Sequence, residues 1–72
     1  MKKFRIAQIG TGNRGQATLA AFSKHPERVE IVAACDINPE NAQRAANRFA
    51  IPACYQNVED LIQGADFEVA SV

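Results

Sequence analysis

Apolar residues crowd into short runs along this chain, and between the runs they recur only every third or fourth position. Phe4-Arg5-Ile6-Ala7-Gln8-Ile9 is a nearly continuous run, the texture of a strand covered on both faces of a parallel sheet. Val29-Glu30-Ile31-Val32-Ala33-Ala34-Cys35 repeats it, residues 53–55 give a short third run, and Phe67-Glu68-Val69-Ala70-Ser71-Val72 gives a fourth. Between the first two, Ala17, Ala20, Ala21 and, more loosely, Phe22 recur at helical spacing. They predict a helix over residues 13–25 that lays a face of small residues on the sheet. His25-Pro26 ends it, because the residue before proline is pushed out of helical dihedrals.

The second helix announces its own start. Asn38 can cap it, Pro39 fits its first position, and Glu40 suits the positive end of its dipole. It runs to about Phe49 with Ala42, Ala45, Ala46 and Phe49 facing inward, and Pro52 separates it from the third strand. Val58-Glu59-Asp60-Leu61-Ile62 predicts one or two further helical turns, with Gly64 as the C-terminal stop. Strand, helix, strand, helix, strand, helix, strand is an α/β pattern. Right-handed crossovers arrange it as a partial Rossmann fold, a doubly wound parallel sheet in strand order 3-2-1-4 with helices on both faces. At 72 residues the chain holds one small domain at most. Residues 1–72 are therefore expected to be the N-terminal part of a nucleotide-binding domain, one mononucleotide-binding half plus the first strand of the next.

Composition narrows the function classes. Hydrophobic residues make up 47% of the chain, which indicates a globular rather than a disordered protein. Eight basic residues balance eight acidic ones, so nothing in the charge calls for nucleic acid or an anionic membrane. No segment approaches transmembrane length. The apolar stretch behind Met1-Lys2-Lys3 is broken by Arg5, Gln8 and Gly10, so no h-region of a signal peptide forms, and the expected location is cytoplasmic. Cys35 and Cys54 lack metal-ligand spacing. Cys35, inside a strand, should behave as a small buried hydrophobe, and a disulfide is not expected in a reducing compartment.

The chemistry lies where the first strand ends. Gly10-Thr11-Gly12-Asn13-Arg14-Gly15 follows that strand directly, opens a helix, and is followed by Asp36 at the tip of the second strand. A GxGxxG alone is a weak signal; in this context it predicts a dinucleotide-binding βαβ unit. Gly10 permits the sharp turn, Gly12 lets the backbone approach a pyrophosphate, and Gly15 lets the helix pack closely on the first strand. The first helical turn, around Asn13 and Arg14, offers N–H groups and the positive dipole end to an anion. Asp36 is placed to accept from the adenosine ribose hydroxyls. The candidate cofactor-binding residues are Gly10, Thr11, Gly12, Asn13, Arg14, Asp36 and Ile37. A carboxylate at Asp36 favours NAD over NADP by repelling a 2′-phosphate, while the Arg14 guanidinium is the one group that could favour NADP.

Phe4-Arg5-Ile6-Ala7-Gln8-Ile9-Gly10-Thr11-Gly12 resembles the opening of the Gfo/Idh/MocA oxidoreductases, the glucose–fructose oxidoreductase and inositol dehydrogenase group. So do Cys35-Asp36-Ile37-Asn38-Pro39-Glu40-Asn41-Ala42, Tyr55-Gln56-Asn57-Val58-Glu59-Asp60-Leu61-Ile62 and the final strand. The resemblance covers essentially the whole chain. It implies the nucleotide-binding portion of an NAD(P)-dependent oxidoreductase that moves hydride between nicotinamide C4 and a carbinol carbon of a sugar, cyclitol or related polyol. The family's Glu-Lys-Pro motif and later histidine serve proton transfer. The sequence contains no Glu-Lys-Pro, and the family's substrate-binding α+β domain is absent from these residues. The full-length protein is expected to be a homo-oligomer, and the 72 residues alone are expected to be inactive. Lys2, Lys3 and Lys24 lie away from the strand C-terminal ends and His25 beside a helix-ending proline, so no catalytic residue is assigned. Competing readings are another Rossmann dehydrogenase or reductase, such as a semialdehyde dehydrogenase or dihydrodipicolinate reductase, and a non-catalytic NAD-binding module. S-adenosylmethionine-dependent methyl transfer fits poorly, since it would place the third glycine where Arg14 stands.

Overall fold

The computed structural model describes residues 3–72. Met1 and Lys2, and with them the reading of Lys2 as non-catalytic, lie outside the described residues. The elements run β1 (Phe4–Ile9), α1 (Asn13–Ser23), β2 (Val29–Cys35), α2 (Pro39–Phe49), β3 (Cys54–Tyr55), α3 (Val58–Gly64) and β4 (Val69–Ser71). The strands form one sheet in the order β3-β2-β1-β4, with every pairing parallel. This is the expected partial Rossmann arrangement.

Two apolar clusters sandwich the sheet. On one face Leu19 of α1 and Ala45 and Ala46 of α2 meet Ala34 and Ile51, with Ile31 and Phe49 packed against them. On the other, Leu61 of α3 meets Ala7, Ala33 and Cys35. Alternation along β2 breaks in the middle: Ile6 pairs with Ile31 but Ala7 pairs with Ala33. Val32 is the extra residue of a bulge, and it sends Val32 and Ala33 toward the same cluster. A bulge of this kind reassigns the faces of everything beyond it.

Four sequence expectations need correction. Leu19, not the alanines, is the buried residue of α1; Ala17 and Ala21 are exposed, and Ala20 and Phe22 half-buried. The helix's rotation is set by Gly15, which packs on the Gly10 carbonyl, and the residue four positions on shares that face. The helix ends at Ser23, although the His25 N–H still bonds the Phe22 carbonyl at 3.0 Å. Gly64 is not a left-handed stop. It is the last residue of α3, which ends on an extended Ala65, and a Cβ on Gly64 would lie 2.7 Å from the Tyr55 hydroxyl. Its role is to let the Tyr55 ring lie across the helix end. Finally, β4 begins only at Val69: Phe67 packs into the α3-side cluster, and the Glu68 N–H reaches the Arg5 carbonyl at 2.8 Å.

Candidate functional site

The loop between β1 and α1 is held from both ends. Gly10 sits at φ +87°, a left-handed conformation that favours glycine. Its N–H donates to the Cys35 carbonyl at 2.8 Å, extending the β1–β2 ladder into the loop. Its carbonyl lies directly under Gly15, where any Cβ would collide with it. A Cβ on Gly12, by contrast, would meet nothing within 4 Å, so space is open above this residue, which caps α1.

The three helix starts differ in one respect. Asn38 Oδ1 accepts from the Glu40 N–H at 3.0 Å and caps α2; Asn57 Oδ1 accepts from the Asp60 N–H at 2.8 Å and caps α3. Both carry acidic residues in their first turns. α1 starts at Gly12 with no side-chain cap and no acid in its first turn. Instead it carries Arg14. The orphan N–H groups of a helix start seek acceptors, and only α1 leaves them without a side-chain cap.

Asp36 stands across the loop from that helix start. Its Oδ2 accepts from both the Thr11 N–H (2.8 Å) and the Thr11 hydroxyl (3.0 Å), and its Oδ1 accepts from the Asn38 N–H (2.9 Å). The Asn38 and Thr11 N–H groups hold the Asp36 carboxyl below the usual carboxylate range; the Thr11 hydroxyl and the Asn41 side chain add to this against the opposing effect of partial burial. An ionised carboxylate has about four acceptor positions, and the Asn41 side chain shares the carboxylate with these three bonds. Thr11 is fully buried and spends its donors on Asp36. Its part in the site is to clip the glycine loop to the tip of β2.

Two clefts open on either side of Gly10. One, of about 320 Å³, is lined by Gln8, Gly12, Asn13, Arg14 and Thr18 and reaches Val72 beside β4. The other, of about 300 Å³, is lined by Cys35, Asp36, Ile37, Gln56, Asn57 and Val58. Ile37 is 86% exposed and Val58 43% exposed, so the second cleft has an apolar rim with a carboxylate inside it. Burial and the neighbouring Asp36 and Asp60 carboxylates push the Cys35 thiol up from its ordinary range, which keeps it a thiol at neutral pH. Of the seven candidate residues, Gly10 borders both clefts, Gly12, Asn13 and Arg14 border the first, and Asp36 and Ile37 border the second. Thr11 borders neither. Sequence reasoning missed Gln8, although a lone amide inside an apolar strand is a visible signal. It also missed the Gln56–Val58 wall, which no local pattern marks. Among the described residues no His, Cys, Asp and Glu group is arranged to hold a metal ion, and no helix is long and apolar enough to cross a membrane.

A strand-ending glycine loop, an uncapped helix start and a carboxylate across the switch of the chain define a dinucleotide-binding Rossmann half. Residues 4–72 match the model of the GFO_IDH_MocA family, described as an oxidoreductase family with an NAD-binding Rossmann fold. The chain belongs to this family. Among solved structures it is similar to the WlbA dehydrogenase from Bordetella pertussis in complex with NADH and UDP-GlcNAcA, at 25% identity and TM-score 0.88 over 96% of this chain and 21% of that one. It is similar to myo-inositol 2-dehydrogenase from Lactobacillus plantarum at 26% identity and TM-score 0.86, over 96% and 20%. Myo-inositol dehydrogenase from Lactobacillus casei, in complex with NAD(H) and myo-inositol, gives 30% identity and TM-score 0.82 over 97% and 22%. The chain thus spans about a fifth of the length of these structures. A comparison with curated proteins finds no significant match.

Proposed function

We propose that this chain holds NAD as the nucleotide-binding part of an oxidoreductase acting on a sugar, cyclitol or related polyol. The observation that carries the reading is the uncapped, acid-free start of α1 beneath an open Gly12, with Asp36 on the other side of the same loop. The diphosphate would rest on the N–H groups of the first turn around Asn13 and Arg14. The adenosine ribose would hydrogen-bond to the Asp36 carboxylate, in place of the Asn41 side chain where needed, with the adenine between the apolar side chains of Ile37 and Val58. When bound, the nicotinamide supplies a hydride acceptor or donor. The residues of this chain bind and orient the cofactor and are assigned no proton transfer.

NAD rather than NADP follows from charge. Asp36 stays ionised well into acid, and a 2′-phosphate beside it would be repelled. Arg14 does not offset this, because it borders the other cleft. Titration calorimetry of the chain with NAD and with NADP tests the reading. NAD should bind more tightly; NADP binding as tightly or better removes Asp36 from the ribose, and binding of neither at millimolar concentration removes the cofactor assignment.

A further inference from the structure

Among the described residues one buried side-chain polar atom has no hydrogen-bond partner, the Oε1 of Gln8. Gln8 is 1% exposed, and buried polar atoms are almost always paired in folded proteins. Its orientation is settled by its other end. The amide Nε2 donates to the Ile9 carbonyl at 3.3 Å and the Gly10 carbonyl at 3.1 Å, and a flipped amide would set oxygen against both. Gln8 also lines the cleft beside Gly12, Asn13 and Arg14, so the residue that carries the unpaired acceptor borders the space above the α1 start.

An acceptor there cannot bond a diphosphate directly, since phosphate oxygens are acceptors too at neutral pH. The N–H groups of α1 point at the anion, and Gln8 Nε2 is already occupied. What completes the arrangement is an O–H group placed between the amide oxygen and the bound nucleotide. We propose that Gln8 is a positioning residue for the cofactor: its Oε1 accepts a hydrogen bond from a hydroxyl that links it to the diphosphate. The hydroxyl comes either from a water held by the diphosphate or from the ribose beyond it. Because the same amide grips the Gly10 carbonyl, filling the cleft tightens the loop through one side chain. The inference rests on the dinucleotide reading of this site.

Calorimetric titration of the chain and of its Gln8→Met variant with AMP, ADP and NAD tests it. AMP, which lacks the diphosphate, should bind both proteins alike. NAD should bind the variant about tenfold more weakly, the scale of one hydrogen bond. Loss for both ADP and NAD identifies the water, and loss for NAD alone identifies the ribose hydroxyl. Equal loss for all three ligands, or no loss for any, overturns the proposal. Should Gln8→Met fail to fold, the wild-type chain still decides. The NMR signals of the Gln8 side-chain amide should move on adding NAD and stay put with AMP, and signals that respond to neither or to both alike overturn it. A wild-type chain that binds none of the three nucleotides fails the cofactor reading itself; one that binds them without a Gln8 effect fails this inference alone.

Discussion

Two helix starts face the same end of the sheet and solve the same problem in opposite ways. At α2 the exposed N–H groups are met from within: Asn38 caps them, Pro39 removes one donor, and Glu40 complements the dipole. At α1 the cap is a glycine, there is no acid, and the nearest charge is the positive Arg14. α2 is a finished structural element. α1 leaves its first-turn N–H groups without a cap of its own. Asp36 joins the two, since it accepts from Asn38 at the head of α2 and from Thr11 in the loop leading to α1.

The strongest way to break this contrast is at Gly15. The Gly15→Ala variant puts a methyl group into the Gly10 carbonyl, and backbone must move to admit it. Overpacking of this kind should cost about 3 kcal/mol, seen as a lowered denaturant midpoint, together with loss of NAD binding. An Ala variant with unchanged stability would mean that the loop is not clamped on α1.

Asp36→Ala comes next. It removes the acceptor of three hydrogen bonds and leaves the buried Thr11 donors unpaired, a loss of about 2 kcal/mol. In the same variant NADP should gain on NAD, measured by competitive titration. Acid should act in the same direction. A carboxyl whose folded pKa lies below its unfolded value contributes its full stabilisation above the unfolded value, about pH 4. That contribution fades as the pH falls from there through the depressed folded pKa. The difference in stability between wild type and Asp36→Ala should therefore be constant from pH 7 to about 5 and shrink below about pH 4. A difference that grows on acidification would contradict the clip.

Substitution at the two caps separates the helix starts directly. Asn38→Ala should cost about 1 kcal/mol of stability and leave ADP affinity unchanged, because the proposed diphosphate site is on α1. Gly12→Ser has open space for its side chain and supplies the missing cap. It should stabilise the free chain by a few tenths of a kcal/mol at most while weakening ADP and NAD, since its side chain stands where the diphosphate would approach. A Gly12→Ser variant that binds ADP as well as wild type would show that this helix start is not the anion site.

Local chemistry was enough to order these elements. The continuous apolar runs of β1 and β2, the Asn38-Pro39-Glu40 start and the right-handedness of crossovers lead to β3-β2-β1-β4 without reference to any distant contact. The glycine loop and Asp36 were legible for the same reason: strand, turn and helix propensities act over a few residues, and the motif lies within them. Features that needed two distant segments were not. Gly64 has the look of a helix stop, and its true constraint is the ring of Tyr55. The alanines of α1 outnumber Leu19, yet Leu19 is the buried residue because Gly15 fixes the rotation of the helix against β1.

What this sequence determined by itself is the menu of elements and the place where an anion could bind, since both follow from backbone propensities and from which residues lack a Cβ or a cap. Only the tertiary structure decided the hydrogen-bond partners of Asp36 and Gln8. The bulge at Val32 resets the alternation of β2 before its tip, and a continuous apolar run hides such a bulge because every one of its positions suits either face. The partners of Asp36 and Gln8 are likewise set by packing. Thr11 meets Asp36 across 25 positions of sequence, and the Gln8 oxygen is left unpaired only because its amide nitrogen turns to the carbonyls beneath α1.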